Sequence, residues 1–249
     1  MNIKRTLKEW LPIQVMDRYA KLKYSKSRSK FAGFDVDGVF STIYKENLWR
    51  SVESVSGPGS TVDHTIELRD GINHLIRELQ ILSILDAPCG DFNWMKGLDL
   101  SDVQYTGMDI VSELIDRNVM LYEGDHIQFV RKDICSDKLP RADLILNRDC
   151  LVHFSYDHIH KALQNMISSG STYLATTSFA YHTVNFDITT GDWRPLNLQR
   201  DPFRFPPPWR SVEEHHAGLT KKEFKGKLLG VWKIKDLELH LRSNEYKLN

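Results

Sequence analysis

The sequence predicts an α/β chain built on a doubly wound, mostly parallel sheet, and three observations predict it. Short apolar runs, each suited to a strand buried on both faces, alternate with longer segments of helical periodicity. That alternation is how a parallel sheet covered by helices is written in sequence. Three of the runs end in an acid, at Asp86, Asp109 and Asp133. The first leads into a tight turn, Ala87-Pro88-Cys89-Gly90, the unit by which open α/β sheets hold a nucleotide-like ligand at a strand's carboxyl end.

Length and composition set the bounds. The chain has 249 residues, 41 % hydrophobic and 27 % charged, enough for one large domain or one domain with an appendage. A net charge of +0 supplies no overall field toward nucleic acid. The three cysteines, Cys89, Cys135 and Cys150, have no disulfide-like spacing, which predicts a reducing cytoplasm. No zinc-type ligand spacing occurs, so no metal is expected. No run reaches the roughly 20 apolar residues of a membrane span, and no apolar signal core is seen at the N-terminus.

Residues 1–64 are expected to be a helical N-terminal extension and lid. Residues 1–30 carry Lys4, Arg5, Lys8, Arg18, Lys21, Lys23, Lys26, Arg28 and Lys30 against Glu9 and Asp17. Leu7, Trp10, Leu11, Val15, Met16 and Tyr19 form an apolar stripe on a helix broken near Pro12. Two readings stand: contact with a membrane surface or anionic substrate, or a cap helix packed on the domain with a solvated basic face. Further on, Asp35-Val36-Asp37-Gly38-Val39 reads as a turn. Glu53 to Thr61 is a small-residue loop placed to fold over a ligand at Gly90. Thr61 or Asp63 is expected to cap the following helix, where Leu68, Ile72, Leu75, Ile76 and Leu79 recur at helical spacing.

The main domain is expected over 65–249. Its first strand is the run through Ile81, Leu82, Ile84 and Leu85, closed by Asp86. An acid beside the turn repels a pyrophosphate and suits a cationic or amine-bearing ligand, and Gly90 lets the backbone approach that ligand. The second strand runs from Val103 to Ile110. Asp109 stands 19 positions past Gly90, near the ~20 that puts a carboxylate on ribose hydroxyls. The third runs from Ile127 to Lys132, the fourth from Ala142 to Leu146, and the fifth from Thr172 to Phe179, with a helix from Tyr156 to Met166 before it. A late strand runs from Leu228 to Ile234.

Taken together, Asp86, Cys89, Gly90, Asp109, Asp133 and Ile134 resemble the signature of class I S-adenosylmethionine-dependent methyltransferases, over roughly residues 65–180. Pro88 and Phe92 replace two glycines of that family's first motif. The resemblance implies a seven-stranded Rossmann-like methyltransferase fold and S-adenosyl-L-methionine as cofactor. It implies that Asp109 takes the ribose, Asp133 the adenine amino group, and Ile134 a face of the ring. The expected cofactor set is Ser60, Thr61, Asp86, Ala87, Pro88, Cys89, Gly90, Trp94, Asp109, Ile110, Asp133, Ile134, Asn147 and Arg148. The text around Cys89 also resembles a bacterial subgroup, some of whose genes lie near those for surface polysaccharides. Two other readings remain. Asp35 and Asp37 resemble the signature of haloacid-dehalogenase-like phosphohydrolases, which use Mg²⁺, though the residues before them make a poor strand. A chain that binds the cofactor without catalysis is the second.

Residues 147–154 follow the fourth strand and should pass the sheet edge where methyl donor and acceptor meet. Asp149 and His153 are the candidate bases, with His182 a third. Residues 180–224 interleave aromatic, proline and polar residues. They read either as a substrate-covering insertion or as a loop pinned on the sheet by its aromatics. Trp193, Arg194 and Asn197 suggest a polar ring-shaped acceptor, expected to be a sugar hydroxyl of a nucleotide-linked or surface glycan.

Overall fold

A computed structural model describes residues 11–25, 29–214 and 222–243. The basic cluster at Lys4, Arg5 and Lys8, the apolar Leu7 and Trp10, and Lys26 and Arg28 lie outside the described residues. The described chain forms six helices: α1 (Ile13–Tyr24), α2 (Val36–Lys45), α3 (Ile66–Leu79), α4 (Ser112–Tyr122), α5 (Tyr156–Ser168) and α6 (Ile234–Ser243). Seven strands join them: β1 (Ser83–Asp86), β2 (Gln104–Asp109), β3 (Ile127–Arg131), β4 (Leu144–Asn147), β5 (Tyr173–Phe179), β6 (Arg210–Glu213) and β7 (Lys227–Lys233). They pair in the order β3-β2-β1-β4-β5-β7-β6. The first five are parallel, and β7 inserts antiparallel between β5 and β6. The expected doubly wound sheet of seven strands is what forms.

The strands read as continuous apolar runs because both faces are covered. Leu85, Met108, Ile145, Leu174 and Trp232 pack with α5 and α6. Their neighbours Ile84, Tyr105, Leu144, Leu146, Val231 and Leu229 pack with α3 and α4. The side-chain period of two divides each strand between the two cores. On one side α3 lies so close to β6 that a Cβ at Gly71 would run into Val212.

Strand reversal occurs between β1 and β4, so the carboxyl ends of β1, β2, β3, β4 and β5 open on one edge. The N-terminal segment roofs that edge. In α2, Asp35 caps the first turn by accepting from the Gly38 N–H at 2.7 Å. Lys45 pairs with Glu113 at 2.8 Å and Asp37 with Arg131 at 2.8 Å, while Phe40 meets Phe154 at 5.7 Å between centroids. The α1 helix docks on the chain after β5. Asp17 is buried, pairs with His182 at 2.6 Å and accepts the Thr183 N–H at 3.0 Å, and the Tyr24 hydroxyl donates to Asp192 at 2.7 Å.

Three expectations are corrected. The Asp35–Asp37 stretch is the start of a helix, not a turn. Neither acid stands at a strand end, where phosphohydrolase chemistry needs its nucleophile, because Asp35 caps α2 and Asp37 pairs with Arg131. Neither Thr61 nor Asp63 caps α3. Thr65 holds that position, and the Thr61 hydroxyl instead reaches the Pro58 carbonyl and His64 at 3.1 and 2.7 Å. Residues 180–224 also contain a strand that the sequence reading passed over, β6, whose register on β7 pairs Val212 with Leu229. No helix among the described residues is long and apolar enough to cross a membrane.

Candidate functional site

The carboxyl edge and its roof enclose a cavity of about 670 Å³, within the range of small-molecule sites. Its floor is built first by the turn after β1. Gly90 takes φ +56, the left-handed region that favours glycine, and a Cβ there would run into the Ser56 hydroxyl. The Gly90 N–H donates to Asp109 at 3.2 Å and its carbonyl accepts from Asn118 at 2.7 Å. The loop before α3 is wrapped on the same turn. The Asp91 carboxylate accepts from the Ser54 hydroxyl, the Val55 N–H and the Ser56 hydroxyl at 3.0, 2.9 and 3.3 Å. Asn93 donates to Glu53 at 2.7 Å and to the Ser60 carbonyl at 3.1 Å. The expected lid is thereby a tied loop, with Ser56, Gly57, Pro58, Gly59 and Ser60 on the cavity wall.

Asp86 and Asp109 end β1 and β2, Asp133 stands two residues past the end of the adjacent β3, the strands lie about 4.8 Å apart, and all three acids line the cavity. Burial pushes the Asp86 carboxyl up to about 8, opposed by the Tyr105 hydroxyl that donates to it at 2.7 Å and assisted by the nearby Asp109. Burial likewise raises Asp109 to about 6, against the N–H groups of Val111 and Gly90 that it accepts. A carboxylate has about four lone-pair sites, so Asp109 keeps acceptors for a ligand. Asp133 accepts from the Cys135 N–H and the Ser136 hydroxyl at 2.8 and 2.9 Å. Pro88, Cys89, Trp94, Ile110 and Ile134 join these acids on the wall. Burial raises the Cys89 thiol well above its ordinary value and makes it inert wall.

At the end of β4 the cavity meets a buried cluster of four charges. Arg148 donates to Glu214 at 2.6 Å and to the Gly59 carbonyl at 2.9 Å. Lys227 reaches Asp149 at 2.6 Å and Glu214 at 3.0 Å. Burial acts against the Arg148 charge, yet Glu214 and Asp149 overcome it and raise its pKa. Burial opposes the Asp149 charge too, and Lys227 and Arg148 reverse that, holding it well below the ordinary carboxylate range. Asp149 is therefore a fixed anion and a poor proton acceptor. Its backbone takes φ +52, uncommon outside glycine, and its N–H donates to the Thr177 hydroxyl at 2.9 Å.

His153 stands beyond, on the cavity wall, with Trp49 at 5.2 Å between centroids. Its Nδ1 lies 2.9 Å from the Asp192 carbonyl. A carbonyl only accepts, so Nδ1 carries the proton and Nε2 is left with a lone pair. Burial lowers the pKa of His153, so the ring is neutral at pH 7.

Several expected site residues are corrected. His182 lies off the cavity, with its ring nitrogens turned to Asp17 at 2.6 Å and to the Glu223 carbonyl at 3.1 Å. Arg194 is fully buried and donates to the carbonyls of Leu151 and Val152 at 3.4 and 3.2 Å. Asn197 donates to the carbonyls of Ala180 and His182, at 3.2 and 2.7 Å, and so holds its own loop. Of the three expected acceptor residues, Trp193 alone is on the cavity wall. Asn147 bridges strands, donating to the Ala87 carbonyl at 2.6 Å and accepting from Thr176 at 2.9 Å. Ala87 is buried beneath the turn, and Thr61 is spent within its loop. The sequence reading missed Lys227, Asp91 and Asn118, and the roof residues Phe40, Tyr44 and Trp49. Asp91 adjoins Gly90 in the motif, and that neighbourhood was the one signal available.

No family model matches the chain, and no curated protein matches it by sequence. Solved structures do resemble it. The methyltransferase domain of bacterial CtHen1 is 12 % identical with a TM-score of 0.51, over 70 % of this chain and 98 % of that one. Human N-acetylserotonin methyltransferase in complex with SAM is 14 % identical with a TM-score of 0.47, over 66 % of this chain. The match spans about half, 49 %, of that human chain. N-methyltransferase NodS from Bradyrhizobium japonicum, in complex with S-adenosyl-L-homocysteine, is 16 % identical with a TM-score of 0.44, over 58 % of this chain and 74 % of that one. The likeness is one of fold, and the CtHen1 domain carries it.

Proposed function

We propose that the chain transfers a methyl group from S-adenosylmethionine to a hydroxyl of a small-molecule acceptor, with His153 as the base. The observation that carries this reading is the row Asp86, Asp109 and Asp133, at or just past the carboxyl ends of three neighbouring strands, in one cavity beside the Gly90 turn. Buried carboxylates facing a cavity suit a ligand that brings positive charge and hydroxyl donors, and they repel a diphosphate. In this reading Asp86 faces the amino-acid portion, Asp109 the ribose and Asp133 the adenine, with Ile110 and Ile134 against the ring. Bound there, the cofactor supplies an electrophilic methyl carbon. The chain supplies alignment, exclusion of water and a base.

His153 fits the base role because it lines the cavity, its ring is neutral, and its Nδ1 contact with the Asp192 carbonyl leaves Nε2 the lone pair. Asp149 does not, because Lys227 holds it as an anion. The sugar acceptor loses part of its support, because Arg194 and Asn197 stand off the cavity wall and Asn197 is spent on backbone carbonyls.

Calorimetric titration tests the cofactor: S-adenosylhomocysteine should bind and NAD should not. His153→Ala should keep that affinity and lower the transfer rate by about 10²–10⁴-fold. Tight NAD binding without a response to S-adenosylhomocysteine sinks the reading. An unchanged rate in His153→Ala removes the base assignment.

A further inference from the structure

The half of the cavity beyond the carboxylate row is walled by rings. Phe40 from the roof meets Phe154 at 5.7 Å, and Trp193 meets Phe179 at 6.0 Å and Phe224 at 5.4 Å between centroids. Trp49 covers His153. These rings come from the roof, the segment after β4, the end of β5 and the chain beyond it, and they converge on one space. Charged groups that reach this space have partners: Asp149 lies 2.6 Å from Lys227, and Asp192 accepts from the Tyr24 hydroxyl at 2.7 Å. A polyhydroxylated ligand needs donors and acceptors all round it, and this wall is mostly apolar. A flat apolar ring needs faces and edges, which it has.

We infer that the acceptor is a hydroxylated aromatic ring, held between Phe40, Phe154 and Trp193 with its phenolic oxygen at His153 Nε2. This rests on the methyl-transfer reading and names its acceptor class. The proton chemistry agrees. Burial makes His153 a weaker base than an ordinary histidine. A phenol titrates at about 10, whereas an aliphatic hydroxyl titrates far higher, near bulk water. A weak neutral imidazole is matched to the first and poorly matched to the second. In the step, the phenolic oxygen forms a bond to the methyl carbon as the carbon–sulfur bond breaks. Sulfur keeps the electron pair of that bond and becomes a neutral thioether. The phenolic proton passes to Nε2 and leaves to solvent.

The test uses 2-naphthol as probe and the protein loaded with S-adenosylhomocysteine. Saturable quenching of tryptophan fluorescence by 2-naphthol is the expected result. Trp193→Leu and Phe40→Leu should each weaken that binding about tenfold or more, with S-adenosylhomocysteine affinity kept as proof of fold. With S-adenosylmethionine supplied, 2-methoxynaphthalene should form. Protein that binds S-adenosylhomocysteine but shows no saturable naphthol binding overturns the inference and leaves methyl transfer standing. So does naphthol binding that neither variant alters, or faster turnover of UDP-glucose than of 2-naphthol. Failure to bind S-adenosylhomocysteine removes the reading beneath it.

Discussion

Asp86 and Asp109 are acids whose burial makes ionisation costly until a ligand arrives. With its carboxyl near 8, Asp86 is largely protonated in the empty protein at pH 7. A cationic or donor ligand selects the ionised form. Binding at pH 7 should therefore release a proton, and affinity should rise with pH by up to about tenfold per unit, levelling above pH 8. Calorimetry with S-adenosylhomocysteine in two buffers of different ionisation heat measures that proton, and uptake of a proton would contradict the assignment. At Asp109 the predicted loss is direct. Asp109→Ala removes charge-assisted hydrogen bonds of about 1.5–3 kcal/mol and should weaken S-adenosylhomocysteine binding by one to two decades. Unchanged affinity places the ribose elsewhere. The catalytic rate should fall in acid as His153 gains its proton, with the midpoint below an ordinary histidine's because burial disfavours the charge.

Among the elements, the loop over the β1 turn is tied through residues 54–56 by one carboxylate and elsewhere by Asn93 and Arg148. Asp91 is buried and accepts from Ser54, Val55 and Ser56. Asp91→Ala strands those donors at about 1–3 kcal/mol. The loop over 53–60 should then be cut faster in limited proteolysis, and S-adenosylhomocysteine should bind more weakly. Cleavage at the parent's rate would show that the loop is held by other means. The difference between legible and illegible residues follows from this layout. Asp86, Asp109 and Asp133 were readable because each closes a local apolar run, and strand and acid are adjacent in sequence. Lys227 and Asp149 lie 78 positions apart and Arg148 and Glu214 lie 66 apart, so no local pattern joins them. The α2 roof was hidden by its own first turn, where Asp35 and Gly38 read as a loop while serving as a cap and its acceptor's donor. His182, Arg194 and Asn197 are of types that bind ligands, but whether a polar side chain faces a ligand or a backbone carbonyl is decided by packing.

At the scale of the whole molecule, the two cores share one sheet, so a ligand at the sheet edge should stabilise both. S-adenosylhomocysteine at 100 times its dissociation constant stabilises by about 2.7 kcal/mol, which for a chain of this size raises Tm by roughly 5–10 °C. A thermal scan showing no shift at saturation would mean that the ligand engages no part of the cooperative fold. The sheet order was legible in outline, because alternating strands and helices leave few ways to wind a parallel sheet. The antiparallel entry of β7 beside β5 and the short edge strand β6 were not, since β6 is four residues inside a proline-rich stretch. The roof has one more consequence. Residues that face the carboxylate row belong to the sheet, while Phe40, Trp49 and Trp193 belong to segments laid over it. Descendants of this chain can thus diverge in diet while keeping one engine: substitutions in the overlay alter which molecule is admitted, and the acids beneath are inherited intact.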